Sequence, residues 1–362
     1  MTSTFWMDRA LALARRAQGA TAPNPAVGAV LTRDGRLLGE GWHRGPGQPH
    51  AEAEALADAQ RRGHDPRGAT LWVTLEPCCH GPTKRTPPCA PRLIQAGIAE
   101  VRAAVPDPNP LVSGRGRELL MASGVRFSWG PRQAEAAELI ADFRAWVTQK
   151  RPFVTLKWAQ TLGGQLRSDP NQDRWLTGLE ARTAAHQLRA DHDAVVMGAG
   201  TLREDDPALT VRHVPVTRQP RRLLFAGSQP LPPQSQIFTD EHADQTWIVT
   251  TPGTDVLQVQ RLCPGRVLPW DGQDWDALGA QLLSAGFYRL LVEGGPRLLS
   301  TFLEVGWWDK TTVFTAPHWQ GLHCQMGIET SGKLVLASPH WSSVGGDSVL
   351  SGWNPEALCS RA

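Results

Sequence analysis

Short β-rich runs alternate with helical runs along this chain, and the alternation is interrupted once, at "TQKRP" (148–152). Such an order directs a chain into α/β layers, because each element buries its apolar face against elements of the other kind. Upstream of the interruption, "AVGAVLTRDGRLLGEGW" reads as a hairpin whose runs flank Asp34-Gly35, a pair that tolerates positive φ. A helix is expected from about His50 to Arg62, stopped by Gly63. "ATLWVTLE" reads as a buried strand, followed by a Cys/Pro-rich loop and a short helix near Pro91–Ala96. The strand "EVRAAV", a helix and the strand "VRFSWG" follow, giving β-β-α-β-α-β, and one helix is expected around Glu135–Val147.

Downstream, "PFVTLKWAQ", "DAVVMGAG", "PRRLLFAG", "TWIVT" and "YRLLVEGG" read as strands of a mostly parallel sheet. "DALGAQLLSAG" and "RLLSTFLEVG" read as helices, and Thr177 with Glu180 forms a capping box for a helix through Arg189. The expected domains are 1–148 and 151–362. From Ala316 to Gly346 the pattern says only that the last strands and loops lie there.

A length of 362 residues suits two domains of ordinary size. The formal charge of +2 gives no basic footprint for nucleic acid, and no apolar run approaches the roughly 18–20 residues of a membrane span. The N-terminus reads as an amphipathic helix capped near Ser3 or Thr4 rather than a signal peptide. A cytoplasmic protein is therefore expected, with no membrane or nucleic-acid partner. Of the six cysteines, Cys78, Cys79 and Cys89 fall within twelve residues, a clustering that suggests metal or catalysis.

"GQPHAEAEAL" (47–56) places His50 and Glu52 two residues apart at a helix start. Alone this is an ordinary N-terminal turn. "TLEPCCHGPTKRTPPC" (74–89) changes its meaning by adding Cys78 at a strand end and Cys89 at a helix start. One imidazole and two thiolates make the three ligands of a catalytic zinc, with a fourth position left for water. Helix N-termini favour thiolate at such positions. Glu52 lies near the metal without needing to bind it. His-x-Glu followed by Pro-Cys and a further Cys is the signature of zinc deaminases, in which water attacks an amino-bearing ring carbon and the glutamate moves protons. A structural zinc would instead recruit a fourth protein ligand, Cys79 or His80. A non-catalytic zinc module gives Glu52 no task, and a nucleic-acid deaminase would have a basic surface and closer cysteines.

These segments, with "TAPNPAVGAVL", "DPNPLVSGRG" and "DDPALTVR", resemble the bifunctional deaminase–reductase family of riboflavin biosynthesis over nearly the whole chain, more weakly after about Gly306. Ten residues separate Cys78 from Cys89 where the family has about eight, so "GPTKR" looks like a loop insertion. The resemblance implies a cytidine-deaminase-like three-layer α/β/α domain followed by a dihydrofolate-reductase-like α/β domain. It implies one zinc per chain on His50, Cys78 and Cys89, with Glu52 as the catalytic residue, NADPH as second cofactor, and a homo-oligomer. The substrate implied is a phosphoribosyl-pyrimidine. Asn24, His43 and Arg85 match substrate positions of the deaminase, with Lys84 an alternative to Arg85. Asp173, Arg189, Leu209, Arg212 and Glu293 match substrate positions of the reductase.

Cofactor positions implied in the same way are Ala159, Trp175, Thr201, Asp205, Ser228, and the run Gly295, Pro296, Arg297, Leu298, Leu299, Ser300 and Thr301. "LVEGGPRLLSTFL" agrees independently, since a Gly-Gly turn before a helix lets backbone N–H groups approach a phosphate. Three positions depart from the family. Its Ser-Leu-Asp-Gly is Thr161-Leu162-Gly163-Gly164, a serine is Asp173, and its Asp-Ser is Ala226-Gly227. A deaminase with a degenerate reductase-like domain is the alternative these departures leave open.

Overall fold

The computed structural model describes residues 3–79, 87–166, 175–319 and 327–358. The chain forms two compact units, Met1–Gln149 and Lys150–Ala362. Among the described residues, no helix is long and apolar enough to cross a membrane.

The first unit is built on a five-stranded sheet. Its strands are β1 (Gly28–Arg33), β2 (Arg36–Trp42), β3 (Thr70–Leu75), β4 (Glu100–Val105) and β5 (Arg126–Trp129), in the order β2-β1-β3-β4-β5. β1 runs antiparallel to β2 and β3, while β3, β4 and β5 are mutually parallel. The hairpin turn falls at Asp34 (φ 50°) and Gly35 (φ 72°), the left-handed pair that suits the twist of the flanking strands. Helices α1 (Ser3–Arg15), α2 (Ala51–Arg61), α3 (Cys89–Gln95) and α4 (Arg115–Ala122) cover the sheet or cross between parallel strands. Glycines show which face each of the first two covers. A Cβ at Gly28 would overlap the α1 backbone at Ala10, and a Cβ at Gly39 or Gly41 would overlap α2. Gly28 pairs with Trp42, so it faces opposite to Gly39 and Gly41 on the pleat, and the two helices lie on opposite faces. This is the three-layer arrangement.

The single helix expected around Glu135–Val147 is divided. α5 (Gln133–Leu139) and α6 (Ala141–Arg144) are followed by a π-helical turn, Ala145–Gln149, with the break at Ile140 (φ −105°, ψ 13°). Leu139, Ile140, Ala141, Phe143, Ala145 and Trp146 are all buried, and a straight helix would spread that set around its whole circumference. Breaking the helix turns all of them inward.

The second unit holds a nine-stranded sheet: β6 (Phe153–Thr161), β7 (Ala194–Gly198), β8 (Arg221–Phe225), β9 (Thr246–Thr250), β10 (Val267–Pro269), β11 (Arg289–Val292), β12 (Lys310–Ala316), β13 (Ala337–Val344) and β14 (Asp347–Trp353). Their order is β10-β9-β8-β7-β11-β6-β12-β14-β13. The first seven in that order are parallel, and β14 is antiparallel to both β12 and β13. The inner parallel strands β7, β8, β9 and β11 read as near-continuous apolar runs because both faces are buried. Val196, Leu223 and Val249 belong to one core cluster, while their neighbours Val195, Leu224 and Ile248 belong to another.

The capping box expected at Thr177 and Glu180 is not the cap that forms. α7 (Leu179–Ala190) begins after Gly178, which has no side-chain cap of its own. The Gly178 N–H donates to Asp347 Oδ2 at 2.8 Å, so a buried carboxylate 169 residues away takes that role.

Candidate functional site

The zinc-ligand set of the first unit comes from three separate joints. His50 is the residue before α2, Cys78 follows the end of β3, and Cys89 opens α3. His50 Nδ1 lies 3.5 Å from Cys78 Sγ and 3.3 Å from Cys89 Sγ, and all three ligand atoms fall within 4.8 Å of one another. Tetrahedral zinc with ordinary bond lengths sets its N and S ligands roughly 3.6 Å apart, so the set fits one ion. A hydrogen bond from Cys89 holds Cys78 far below the usual thiol range, and the same bond with burial pushes Cys89 well above it. A 2+ charge between them relieves that conflict by favouring both thiolates. Cys79 is raised instead, by burial and by the charge of Cys78, and is not part of the cluster.

Glu52 lies in the first turn of α2, is 5% exposed, and has the Cys89 thiol beside it. Burial, and then the neighbouring Cys78 charge, raises its pKa, which brings a carboxylate toward the range where it both takes and returns protons. It lines a cavity of about 430 Å³ together with His50, Cys78, Asn24 and His43. His43 Nδ1 lies 3.0 Å from the Pro49 carbonyl, which can only accept, so the ring proton is on Nδ1. Nε2 then accepts from the Asn24 side-chain amide at 3.1 Å. Burial lowers the His43 pKa and keeps this neutral form. Asn24 is thereby held in one orientation at the cavity wall.

The same wall includes Gln48, Glu76, Asp107 and Phe143, to which the sequence reading gave no role. Glu76 carried a usable signal: an acid at the end of an apolar strand, between Leu75 and Pro77. Phe143 had none, because its position depends on the break at Ile140. Arg85 and Lys84 lie outside the described residues, as does Asp173 of the second unit.

In the second unit most of the expected positions fall at the C-terminal ends of adjacent parallel strands, where α/β sheets bind ligands. Ala159 is near the end of β6; Thr201 and Asp205 lie in α8 (Ala199–Asp205) directly after β7; Ser228 follows β8; Glu293 follows β11. Gly295 precedes α9 (Pro296–Glu304), and its N–H donates to Thr201 Oγ1 at 3.0 Å, joining the two glycine turns. A Cβ at Gly200 or Gly227 would meet nothing within 4 Å, so these backbone stretches are open to a ligand. Within the α9 run, Leu299 is fully buried in the core and the Thr301 hydroxyl donates to its own helix at Arg297 O, 2.9 Å. The Ser300 hydroxyl accepts from Glu329 N at 3.0 Å. Trp175 is half-exposed with the Arg182 guanidinium 4.8 Å over its ring.

Arg189 and Glu293 come together. The guanidinium grips the carboxylate through Nε (2.6 Å) and Nη2 (3.0 Å), donates Nη1 to Thr210 O (3.0 Å), and Lys157 Nζ reaches the same carboxylate at 3.4 Å. Burial opposes ionisation of Glu293, but the charges of Arg189 and Lys157 prevail and bring it down to about 2. Leu209, buried with φ 55°, directly precedes Thr210, exposed Arg212 lies two residues beyond it, and the Arg212 N–H donates to His186 Nδ1 at 3.0 Å.

A three-ligand zinc centre beside a buried glutamate, joined in one chain to an α/β unit with glycine turns at its strand ends, defines a two-domain deaminase–reductase. Residues 1–105 match the family model of the cytidine and deoxycytidylate deaminase zinc-binding region, and residues 152–349 match that of the RibD C-terminal domain. The chain is 41% identical to the riboflavin biosynthesis protein RibD of Aquifex aeolicus over 322 residues, 89% of each chain. It is 35% identical to that of Escherichia coli, covering 88% of each. The structure of Acinetobacter baumannii RibD superposes with a TM-score of 0.83 at 32% identity, covering 97% of this chain and 98% of that one. A Thermotoga maritima protein described as a diaminohydroxyphosphoribosylaminopyrimidine deaminase/5-amino-6-(5-phosphoribosylamino)uracil reductase superposes with 0.79 at 30% identity and the same coverage. This chain belongs to the RibD family of riboflavin biosynthesis, and its first unit is a zinc-binding deaminase domain.

Proposed function

We propose that the chain catalyses two consecutive steps of riboflavin biosynthesis. The first unit hydrolyses the ring 2-amino group of 2,5-diamino-6-(5-phosphoribosylamino)pyrimidin-4(3H)-one, consuming water and releasing ammonia. The second unit reduces the ribosyl group of the resulting 5-amino-6-(5-phosphoribosylamino)uracil, taking hydride from NADPH and a proton from solvent to give the ribitylamino product. The observation that carries the reading is the convergence of His50, Cys78 and Cys89 near the buried Glu52, with His50, Cys78 and Glu52 on one cavity wall.

Bound at His50, Cys78 and Cys89, zinc supplies Lewis acidity that brings a water's pKa down to roughly 7. Glu52 takes the proton of the attacking water and returns it to the departing nitrogen. The Asn24 amide, held by neutral His43, orients the pyrimidine ring. Arg85 and Asp173 keep the substrate-contacting roles that the family resemblance implies. In the second unit, the turns at Gly198–Gly200 and Gly294–Gly295 and the start of α9 take the NADPH phosphates. Arg189, Arg212 and Glu293 hold the phosphoribosyl chain beside the nicotinamide, where orientation supplies much of the rate. The protein works in the cytoplasm as a homo-oligomer.

Paired assays test this. Ammonia release is followed from the diamino substrate, and NADPH oxidation is followed with the deaminated substrate supplied directly. Both activities are expected in zinc-replete protein. Ammonia release without NADPH oxidation would leave a deaminase with a silent second unit.

A further inference from the structure

Glu76 is 2% exposed and sits two residues before the zinc ligand Cys78, yet among the described residues it forms no salt bridge. Its carboxylate is satisfied by backbone. Oε2 accepts from Asp107 N at 3.3 Å and Gly114 N at 3.0 Å, and Oε1 accepts from Arg117 N at 3.0 Å. The first two donors are the two ends of one loop. Between them, Asp107 Oδ1 accepts from Asn109 N (2.8 Å), Asn109 Oδ1 accepts from Leu111 N (3.0 Å), and Asn109 O accepts from Val112 N and Ser113 N. A single oxygen of Glu76 therefore closes the 107–114 loop. The third donor belongs to the first turn of α4, whose N-cap position is Gly114 (φ 78°) and which has no side-chain cap of its own. Glu76 caps α4 from 38 residues away and places negative charge at its positive end.

The same joint is tight on its other side. A Cβ at Gly116 would overlap the Pro77 carbonyl oxygen, so α4 rests directly on the turn that leads to Cys78. Asp107, at the loop's start, lines the cavity across which Glu52 and His50 face the substrate.

We propose that Glu76 is a positioning residue for deamination, fixing the Asp107 wall of the cavity relative to the turn that carries Cys78. The inference rests on the deaminase reading of this unit. Its task is on the substrate side rather than the metal side, because all three acceptor bonds go to the 107–117 segment and none to the ligand residues.

The test is Glu76→Gln in the full chain. The amide keeps the shape, but its NH2 group faces buried N–H donors and leaves at least one unpaired. A lost bond of this kind shifts binding by roughly ten- to hundredfold. The expected result is a KM for deamination raised by that factor, with kcat within about threefold. Zinc content, the visible spectrum of the cobalt-substituted protein and the reductase rate should be unchanged. Gly116→Ala, which wedges the same joint and leaves the carboxylate intact, should raise KM in the same direction. An unchanged KM in Glu76→Gln overturns the proposal. So does a parallel loss of zinc or an altered cobalt spectrum, which would make Glu76 part of the metal scaffold. Insolubility of both variants would make it a folding element and overturn the proposal as well. Wild-type chain assayed alongside separates the two readings: absent ammonia release there would remove the deaminase reading itself.

Discussion

The two units build their sites in opposite ways. The first concentrates its chemistry in four side chains, His50, Glu52, Cys78 and Cys89, placed at three element ends, three of them lining one cavity. The second spreads its site along the ends of four neighbouring strands, β8, β7, β11 and β6, and relies on glycine turns and a buried ion cluster. A metal site needs particular donor atoms at bonding distance, which only a few residue types supply. A nucleotide-cofactor site is made largely of backbone, which many sequences supply. The difference predicts how each unit fails, all-or-none in the first and by degrees in the second.

The largest effect is expected at the metal. Cys78→Ser should lose zinc and with it ammonia release, measured by metal analysis and ammonia assay on one sample. Cys79→Ser should retain both, since Cys79 lies outside the cluster. The reductase rate should be the same in the two variants. Equal metal loss in both would show that the ligand set is wrong, and loss of the reductase rate in Cys78→Ser would show that the second unit depends on the first.

Next comes Glu52. Glu52→Gln keeps size and hydrogen bonding but cannot carry the proton, and general acid–base help is worth on the order of 10²–10⁴ in rate. Ammonia release should fall by that factor with zinc fully retained. Near-normal turnover in metal-replete protein would remove Glu52 from proton transfer.

How much of this could be read from the chain follows the same division. The Asp34-Gly35 turn, the α2 start at His50 and the convergence of two distant cysteines were legible, because each depends on local pattern or on scarce chemistry. The zinc-binding deaminase domain and the α/β sheets of both units followed from the same signals. Long-range satisfaction of polar groups was not legible. Nothing in a local window tells Glu76 that its partners are the N–H groups of 107, 114 and 117, or Gly178 that its cap is Asp347. The division at Ile140 was missed for a related reason, since burial on every side of that segment arises only from packing. Arg189 and Glu293 were each singled out, but their pairing was not.

That pairing sharpens the contrast, because the Arg189 fork is already occupied. Removing one partner of a buried pair costs about 3–5 kcal/mol, mostly by stranding the other charge. Arg189→Ala should therefore lower the stability of the second unit by about that much, read from its denaturant midpoint and slope, with zinc content and ammonia release preserved. Lys157 remains beside Glu293 and should keep the loss at the lower end. A raised substrate requirement with no change in midpoint would instead make Arg189 a pure substrate contact. The site of the second unit would then resemble the first, a few side chains on a separate scaffold.

The smallest effect distinguishes local from distant control of α7. The chain offers two caps for this helix, the nearby Thr177–Glu180 pair and the distant Asp347. Removing a capping acceptor typically costs ~1 kcal/mol. Asp347→Ala should therefore lower the stability of the second unit by about that amount, because Gly178 N–H loses its partner in a half-buried setting. Thr177→Ala should stay within about 0.5 kcal/mol of wild type, as surface changes without a structural role do. Denaturant midpoints for the two variants decide the matter, with ammonia release as the internal control for an intact first unit. If Thr177→Ala proves the costlier change, α7 is held by its own sequence. The second unit would then combine a distant ion pair at Arg189 with a local cap on the helix that carries it.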